Sequence, residues 1–206
     1  MGEIRFVHDE IEGELRFRTP RWAEFAAWWD TTVRGSPSDA AHNLVAGCAI
    51  APDANALAAE FEDGLGFLPT VIADRLLDHV GAPEAGFGAR YPVLAEADVP
   101  AEVRDAAKKA TKRRPLFVQV PTGVWAFRPP GSRAASSYID AVRSFRAGKV
   151  DASLAEASRL LVLSCVLSPS PDVAAAQIQE HPHIVYTLAD ALGEAGGDAG
   201  KGLRGA

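Results

Sequence analysis

The spacing of hydrophobic positions changes along the chain, and the changes mark out its elements. Ile4 and Phe6 alternate with Glu3 and Arg5. After a polar, acidic stretch from His8 to Gly13, Leu15 and Phe17 alternate with Glu14, Arg16 and Arg18. Period-two alternation on both sides of a short polar run predicts a β-hairpin. Beyond Pro20 the period lengthens: Trp22, Phe25, Ala26 and Trp29 recur at helical spacing and give one apolar face. Pro20 suits a first helical turn, where no amide hydrogen is needed. A second helix is predicted from Asp39 to Ile50, stopped by Pro52. A third, over 54–62, has Asp53 as its N-cap. A fourth follows Pro69 and closes near Gly81.

The same order then returns. Pro115 to Val120 and Val124 to Arg128 flank Pro121-Thr122-Gly123, a turn in which proline presets φ and glycine accepts positive φ. Ala134, Ala135, Tyr138, Ile139 and Val142 follow Pro130 at helical spacing. A helix over 150–167 has Leu154, Ala157, Leu161, Ser164 and Cys165 as its buried stripe and Pro169 as its stop. Asp172 is the expected cap of a helix over 173–179, and a last helix follows Pro182 and closes near Gly193. Short segments match in the same order. Leu15 to Pro20 lies over Trp125 to Pro130, Trp28-Trp29-Asp30 over Tyr138-Ile139-Asp140, and Leu44 to Pro52 over Leu161 to Pro169. Leu68 to Ile72 lies over His181 to Val185. Offsets that drift only across loops are what two diverged copies of a unit produce. The expected fold is therefore α+β and predominantly helical: two tandem copies of a β-hairpin followed by a small helical bundle. The expected units are 1–81 and 99–195, joined by a Gly-, Ala- and Pro-rich linker over 82–98, with a disordered tail over 196–206. Pro100 to Lys112 reads as an added helix.

Composition narrows the function classes. The 206 residues, 48% hydrophobic and 23% charged, suit one large domain or two small ones, and the repeat favours two. A net charge of −6 without a long basic block argues against nucleic acid as the main partner. No apolar run approaches the ~18–20 residues that span a bilayer, and Met1 to Arg5 lacks a signal-peptide pattern. Two cysteines make no disulfide framework. A cytoplasmic protein without membrane contact is expected.

Candidate chemistry is sparse. Cys48 and Cys165 hold matching positions among apolar neighbours and read as small core hydrophobes. His181-Pro182-His183 is the one close histidine pair and has no further ligand nearby in sequence, and His8-Asp9-Glu10 reads as a solvated turn. No phosphate loop, nucleophile elbow or zinc-protease motif occurs. No catalytic, metal-ligating or cofactor-binding residue is assigned, and no cofactor is expected. Lys108, Lys109 and Lys112 read as a solvated helix face. The tryptophans read as core. Trp28 and Trp29 are successive helical positions, however, so one of them stands at the core's edge, available to a partner.

The repeated unit resembles phage tail assembly chaperones, small helical proteins encoded beside the tape-measure gene. The resemblance is carried by Trp125 to Pro130, Leu160 to Pro169 and Pro182 to Gly193, and in the first copy by Leu15 to Pro20 and Leu44 to Pro52. It implies a non-enzymatic assembly factor in the host cytoplasm. Such a factor binds the tape-measure protein while tail-tube subunits polymerise around it. The family unit usually occurs once. Two copies suggest a fused dimer of such chaperones or a relative with a structural role, and self-association is left open. Arg18 and Arg128 fall where the family pattern is basic, whereas Gly131 and Ser132 depart from it. Arg18, Arg128, Trp28 and Trp29 are the partner-binding candidates. Holding an unassembled helix calls for an apolar patch, expected here with an acidic rim. Two other classes stand beside this reading. One is a structural tail component such as a connector or baseplate subunit. The other is a small enzyme using Cys48 or Cys165, or a metal held by His181 and His183.

Overall fold

The alternating run Glu3–Val7 forms β1 and pairs antiparallel with β2, Glu14–Arg18, in the computed structural model, which describes residues 3–9, 11, 13–80 and 91–201, the last six as backbone only. Ile4 lies opposite Phe17 and Phe6 opposite Leu15, so one face of the hairpin is apolar. The other face is charged. Arg5 and Arg16 stand directly opposite each other, and Glu3 offsets their repulsion from 3.3 and 3.6 Å. The chain continues through α1 (Trp22–Val33), α2 (Pro37–Cys48), β3 (Ala49–Ala51), α3 (Ala54–Glu62) and α4 (Leu68–His79). Asp53 caps α3 as expected, its Oδ1 accepting from the amides of Asn55 and Ala56 at 3.0 Å. Pro20 precedes the helix and Arg21 is the N-cap, whose amide is accepted by Glu24 at 3.0 Å.

The second stretch opens with α5 (Ala101–Ala110), the expected added helix. It is followed by β4 (Leu116–Val120), β5 (Gly123–Phe127), α6 (Ser132–Arg146), α7 (Leu154–Cys165), β6 (Val166–Ser168), α8 (Pro171–Glu180) and α9 (Ile184–Lys201). Gly123, at φ +127°, takes the backbone that the Pro-x-Gly turn asked of it. The described residues are thus mixed α+β and mostly helical, with two small antiparallel three-stranded sheets ordered β1-β2-β3 and β4-β5-β6.

The third strand of each sheet corrects the sequence reading, which ran the helices on to Ile50 and Leu167. Both helices end at a cysteine four residues before a proline. A proline ring clashes with the carbonyl four positions earlier and supplies no amide to it. The backbone therefore turns extended at Ala49 and Val166 and adds a strand instead. Two further corrections concern the ends of elements. Asp172 lies inside the first turn of α8, not at its cap. The last helix does not close at Gly193 but runs to Lys201, so the expected disordered tail begins inside a helix; 202–206 fall outside the described residues. Within the expected linker, 82–90 also fall outside them. Residues 92–94 lie along β4, with the Leu94 amide donating to Phe117 O at 2.9 Å and the Gln119 amide to Pro92 O at 3.0 Å.

The chain divides into two compact units, Met1–Gly86 with Glu180–His183 and Phe87–Gln179 with Ile184–Ala206. In the first, Leu15, Phe17, Phe25, Trp29, Leu44 and Leu76 are buried. In the second, the sheet is covered on both faces. Phe117 and Ala126 meet Val99 and Ala107 on the α5 side, which explains why β4 and β5 are nearly continuous in apolar residues while β1 and β2 alternate. Trp125 is 1% exposed, and its indole N–H donates to Thr122 Oγ1 at 3.2 Å, which donates in turn to Gln177 Oε1 at 3.0 Å. Thr122→Val leaves the indole N–H without its acceptor and is expected to cost about 1–2 kcal/mol in urea unfolding of the second unit.

Candidate functional site

Each hairpin ends in an aromatic residue followed by an arginine, and that arginine reaches the end of the unit's central helix. Arg18 Nη2 donates to Gly47 O at 2.6 Å. Arg128 donates to Ser164 O from Nη2 at 2.7 Å and from Nε at 3.2 Å. Gly47 and Ser164 are the penultimate residues of α2 and α7. Both guanidiniums therefore lie on C-terminal carbonyls, where the helix dipole favours a cation. The first duty of both arginines is structural.

The two surroundings then diverge. Arg18 is half-buried and also donates to Glu24 Oε1 at 2.6 Å. Burial would raise the Glu24 carboxyl, but the Arg18 guanidinium and the Arg21 amide outweigh it and hold the carboxyl below its usual range. A Cβ at Gly47 would lie 3.2 Å from Glu24 Cγ, so the bare glycine gives this side chain its path across the helix end. In the frame that pairs Arg18 with Arg128, Ala134 stands in place of Glu24, and Ser137 is the next residue on that face. Neither carries charge. Arg128 is exposed, and among the described residues no carboxylate pairs with it.

The helices alongside differ in the same sense. α1 buries Trp22, Phe25 and Trp29, whereas Phe145 is the one buried residue of α6. Small residues leave α6 and α7 apart around a groove of about 670 Å³. Ala134, Tyr138 and Ala141 of α6 and Ala157, Leu160 and Leu161 of α7 line it. Ser164 and Cys165 line it too, Arg128 and Arg133 supply its charge, and no Asp or Glu does so. Leu160 is 56% exposed, a large apolar side chain left to solvent beside the groove's cations. The rim is thus basic, where the sequence reading expected an acidic one.

The four candidate residues scatter. Trp29 is 3% exposed and packs edge-on against Phe25, with ring centroids 6.2 Å apart, so it belongs to the core and offers no surface. Trp28 is half-buried and also rests on Phe25, at 5.5 Å. Arg18 is occupied by Glu24, and Arg128 lines the groove between α6 and α7. Ile139, read as part of a buried face, is 47% exposed, because the face of α6 turned toward the groove runs through Ala134, Ser137, Tyr138 and Ala141. The groove was missed for that reason. Its signal in sequence was the absence of a Glu24 counterpart beside Arg128.

The remaining chemistry is quiet. Burial pushes the Cys48 thiol up to about 12 and also raises Cys165, whose Sγ lies 3.6 Å from Ser164 Oγ. Both thiols are expected to react with an aromatic disulfide reagent only after denaturant is added. Fast reaction of native Cys165 would favour the thiol-enzyme reading. Burial, then the neighbouring His181, push the His183 imidazole down to about 4. Among the described residues no group of three His, Cys, Asp or Glu comes together, and no helix is long and apolar enough to cross a membrane. No family model, curated protein or solved structure matches the chain.

Proposed function

We propose that this chain is a non-enzymatic binding protein that holds an amphipathic helical segment of an unassembled partner in the groove between α6 and α7. Under the resemblance to tail assembly chaperones, that partner is the tape-measure protein, kept from aggregating until tail-tube subunits enclose it. The observation that carries the reading is the open, small-residue groove with the exposed Leu160, set against a first unit whose corresponding helix closes with three large aromatics. A helix laid in an apolar groove buries its own apolar stripe, the main driving force for holding such a segment. The reading treats the chain as two diverged copies of one unit, supported by the shared order of hairpin, two helices, strand and two helices. One copy has kept a closed, stable core, and the other has opened to a partner.

Co-expression with the neighbouring gene products tests it. The expected result is that a long helical tape-measure protein stays in solution only with this chain and co-purifies with it. Recovery of no tail protein, or presence of this chain in finished particles, contradicts the chaperone reading.

A further inference from the structure

The first unit contains a worked example of what the second unit lacks. There the arginine at the end of the hairpin holds two oxygens at once, the Gly47 carbonyl and the Glu24 carboxylate, each at 2.6 Å. In the second unit the arginine keeps the carbonyl, Ser164 O at 2.7 Å, and the carboxylate is gone. The residues in its place, Ala134 and Ser137, line the groove. So does Ser164, whose hydroxyl donates to Leu161 O at 2.8 Å. The cation stands in the groove wall with apolar surface beside it and, among the described residues, no anion against it.

We infer that Arg128 reads a carboxylate on the partner: the groove takes a helical segment whose apolar stripe carries a glutamate or aspartate, seated where Glu24 sits in the first unit. This rests on the groove being the binding surface, and it adds the chemistry that selects the segment. Three observations support it. Charge is complementary by default, since Arg128 and Arg133 line the groove and no acid does. Arg128 is already oriented by its two bonds to Ser164 O, so little side-chain entropy remains to be lost when a carboxylate docks. The apolar walls also lower the local dielectric once a helix covers them, which strengthens a charge-assisted hydrogen bond. An acid in the partner's apolar stripe is costly in other apolar settings, so the requirement discriminates against segments that are merely hydrophobic.

The test uses the full chain and two fluorescein-labelled amphipathic peptides of about 16 residues, long enough to be helical. They are identical except for Glu or Gln at the centre of a leucine stripe. Wild-type protein is expected to bind the Glu peptide about tenfold more tightly than the Gln peptide. Arg128→Gln should bring the two to equal affinity, Arg128→Lys should keep part of the preference, and Arg128→Glu should reverse it. Circular dichroism of each variant checks that the second unit stays folded, and loss of preference on a folded Arg128→Gln background is the supporting result. Leu160→Asp should weaken both peptides, and the Glu peptide the more, because the new carboxylate also repels its acid. Equal binding of Glu and Gln peptides by wild type, with the Leu160→Asp effect intact, overturns the carboxylate inference and leaves the groove standing. A preference that survives Arg128→Gln also overturns it. Binding of neither peptide overturns the groove itself and the inference with it.

Discussion

Trp29→Ala is expected to unfold the first unit at markedly lower denaturant than wild type, with a loss of about 3–5 kcal/mol. Trp29 is 3% exposed, its ring packs on Phe25, and α1, which packs against α2, buries Trp22, Phe25 and Trp29. Truncation to alanine removes most of that apolar burial and leaves a cavity that the flanking aromatics close only in part. For a unit of this size the loss approaches the whole stability of the fold. Urea melts followed by far-ultraviolet circular dichroism should resolve the early transition, with the second unit melting later and unchanged. Ile139→Ala, at the position matched to Trp29 in the sequence alignment, should change stability by less than about 0.5 kcal/mol, because Ile139 is 47% exposed. Equal losses from the two substitutions would mean that α1 and α6 pack alike, and the contrast between a closed and an open unit would fall.

Leu160→Asp is expected to abolish partner retention while leaving the protein folded. Leu160 is 56% exposed on α7 and lines the groove, so its substitution costs little inside the fold beyond helix propensity, about 0.5 kcal/mol. At the interface it loses the buried area of a leucine and sets an acid against a partner selected for its own acid. Together these are worth about 2–4 kcal/mol, a fall of thirtyfold or more in affinity. The check is co-purification of the co-expressed partner, quantified against wild type, with unchanged thermal unfolding of the variant. Full retention by Leu160→Asp would place the binding surface elsewhere.

The parts legible in the sequence share one property: they are set by local chemistry. The first hairpin follows from the alternation of Ile4, Phe6, Leu15 and Phe17 around a polar turn, and α3 follows from Asp53. The second hairpin follows from Pro121 and Gly123. The third strands were missed because three residues after a helix carry no periodicity; the signal was the proline four positions past Cys48 and Cys165, which sets where the helix must stop. The groove was missed because helical spacing allows two overlapping faces on α6. Ala134, Ala135, Tyr138, Ile139 and Val142 make a plausible buried stripe, yet the face toward α7 is turned away from Ile139. Which face wins depends on α7, far away in sequence. Arg18 and Arg128 were recognisable as a pair. Their division of labour depends on Glu24, a half-buried acid whose importance shows only when it is seen against Arg18.

The groove also alters the expected partner. The sequence of this acidic chain, with its net charge of −6, led to the expectation of an apolar patch with an acidic rim. The groove is basic within an acidic protein, so long-range repulsion and short-range attraction oppose each other for an acidic segment. Association should therefore be slow at low salt and selective for segments whose acids are few and well placed.

The most direct measurement is site-specific photo-crosslinking inside the co-expressed complex, with the crosslinking amino acid placed at Ser137 in the groove or at Val33, an exposed residue of α1. The account predicts an efficient crosslink from Ser137 to one amphipathic, acid-bearing helical segment of the partner, and little from Val33. Crosslinks from Val33 but none from Ser137 would contradict it.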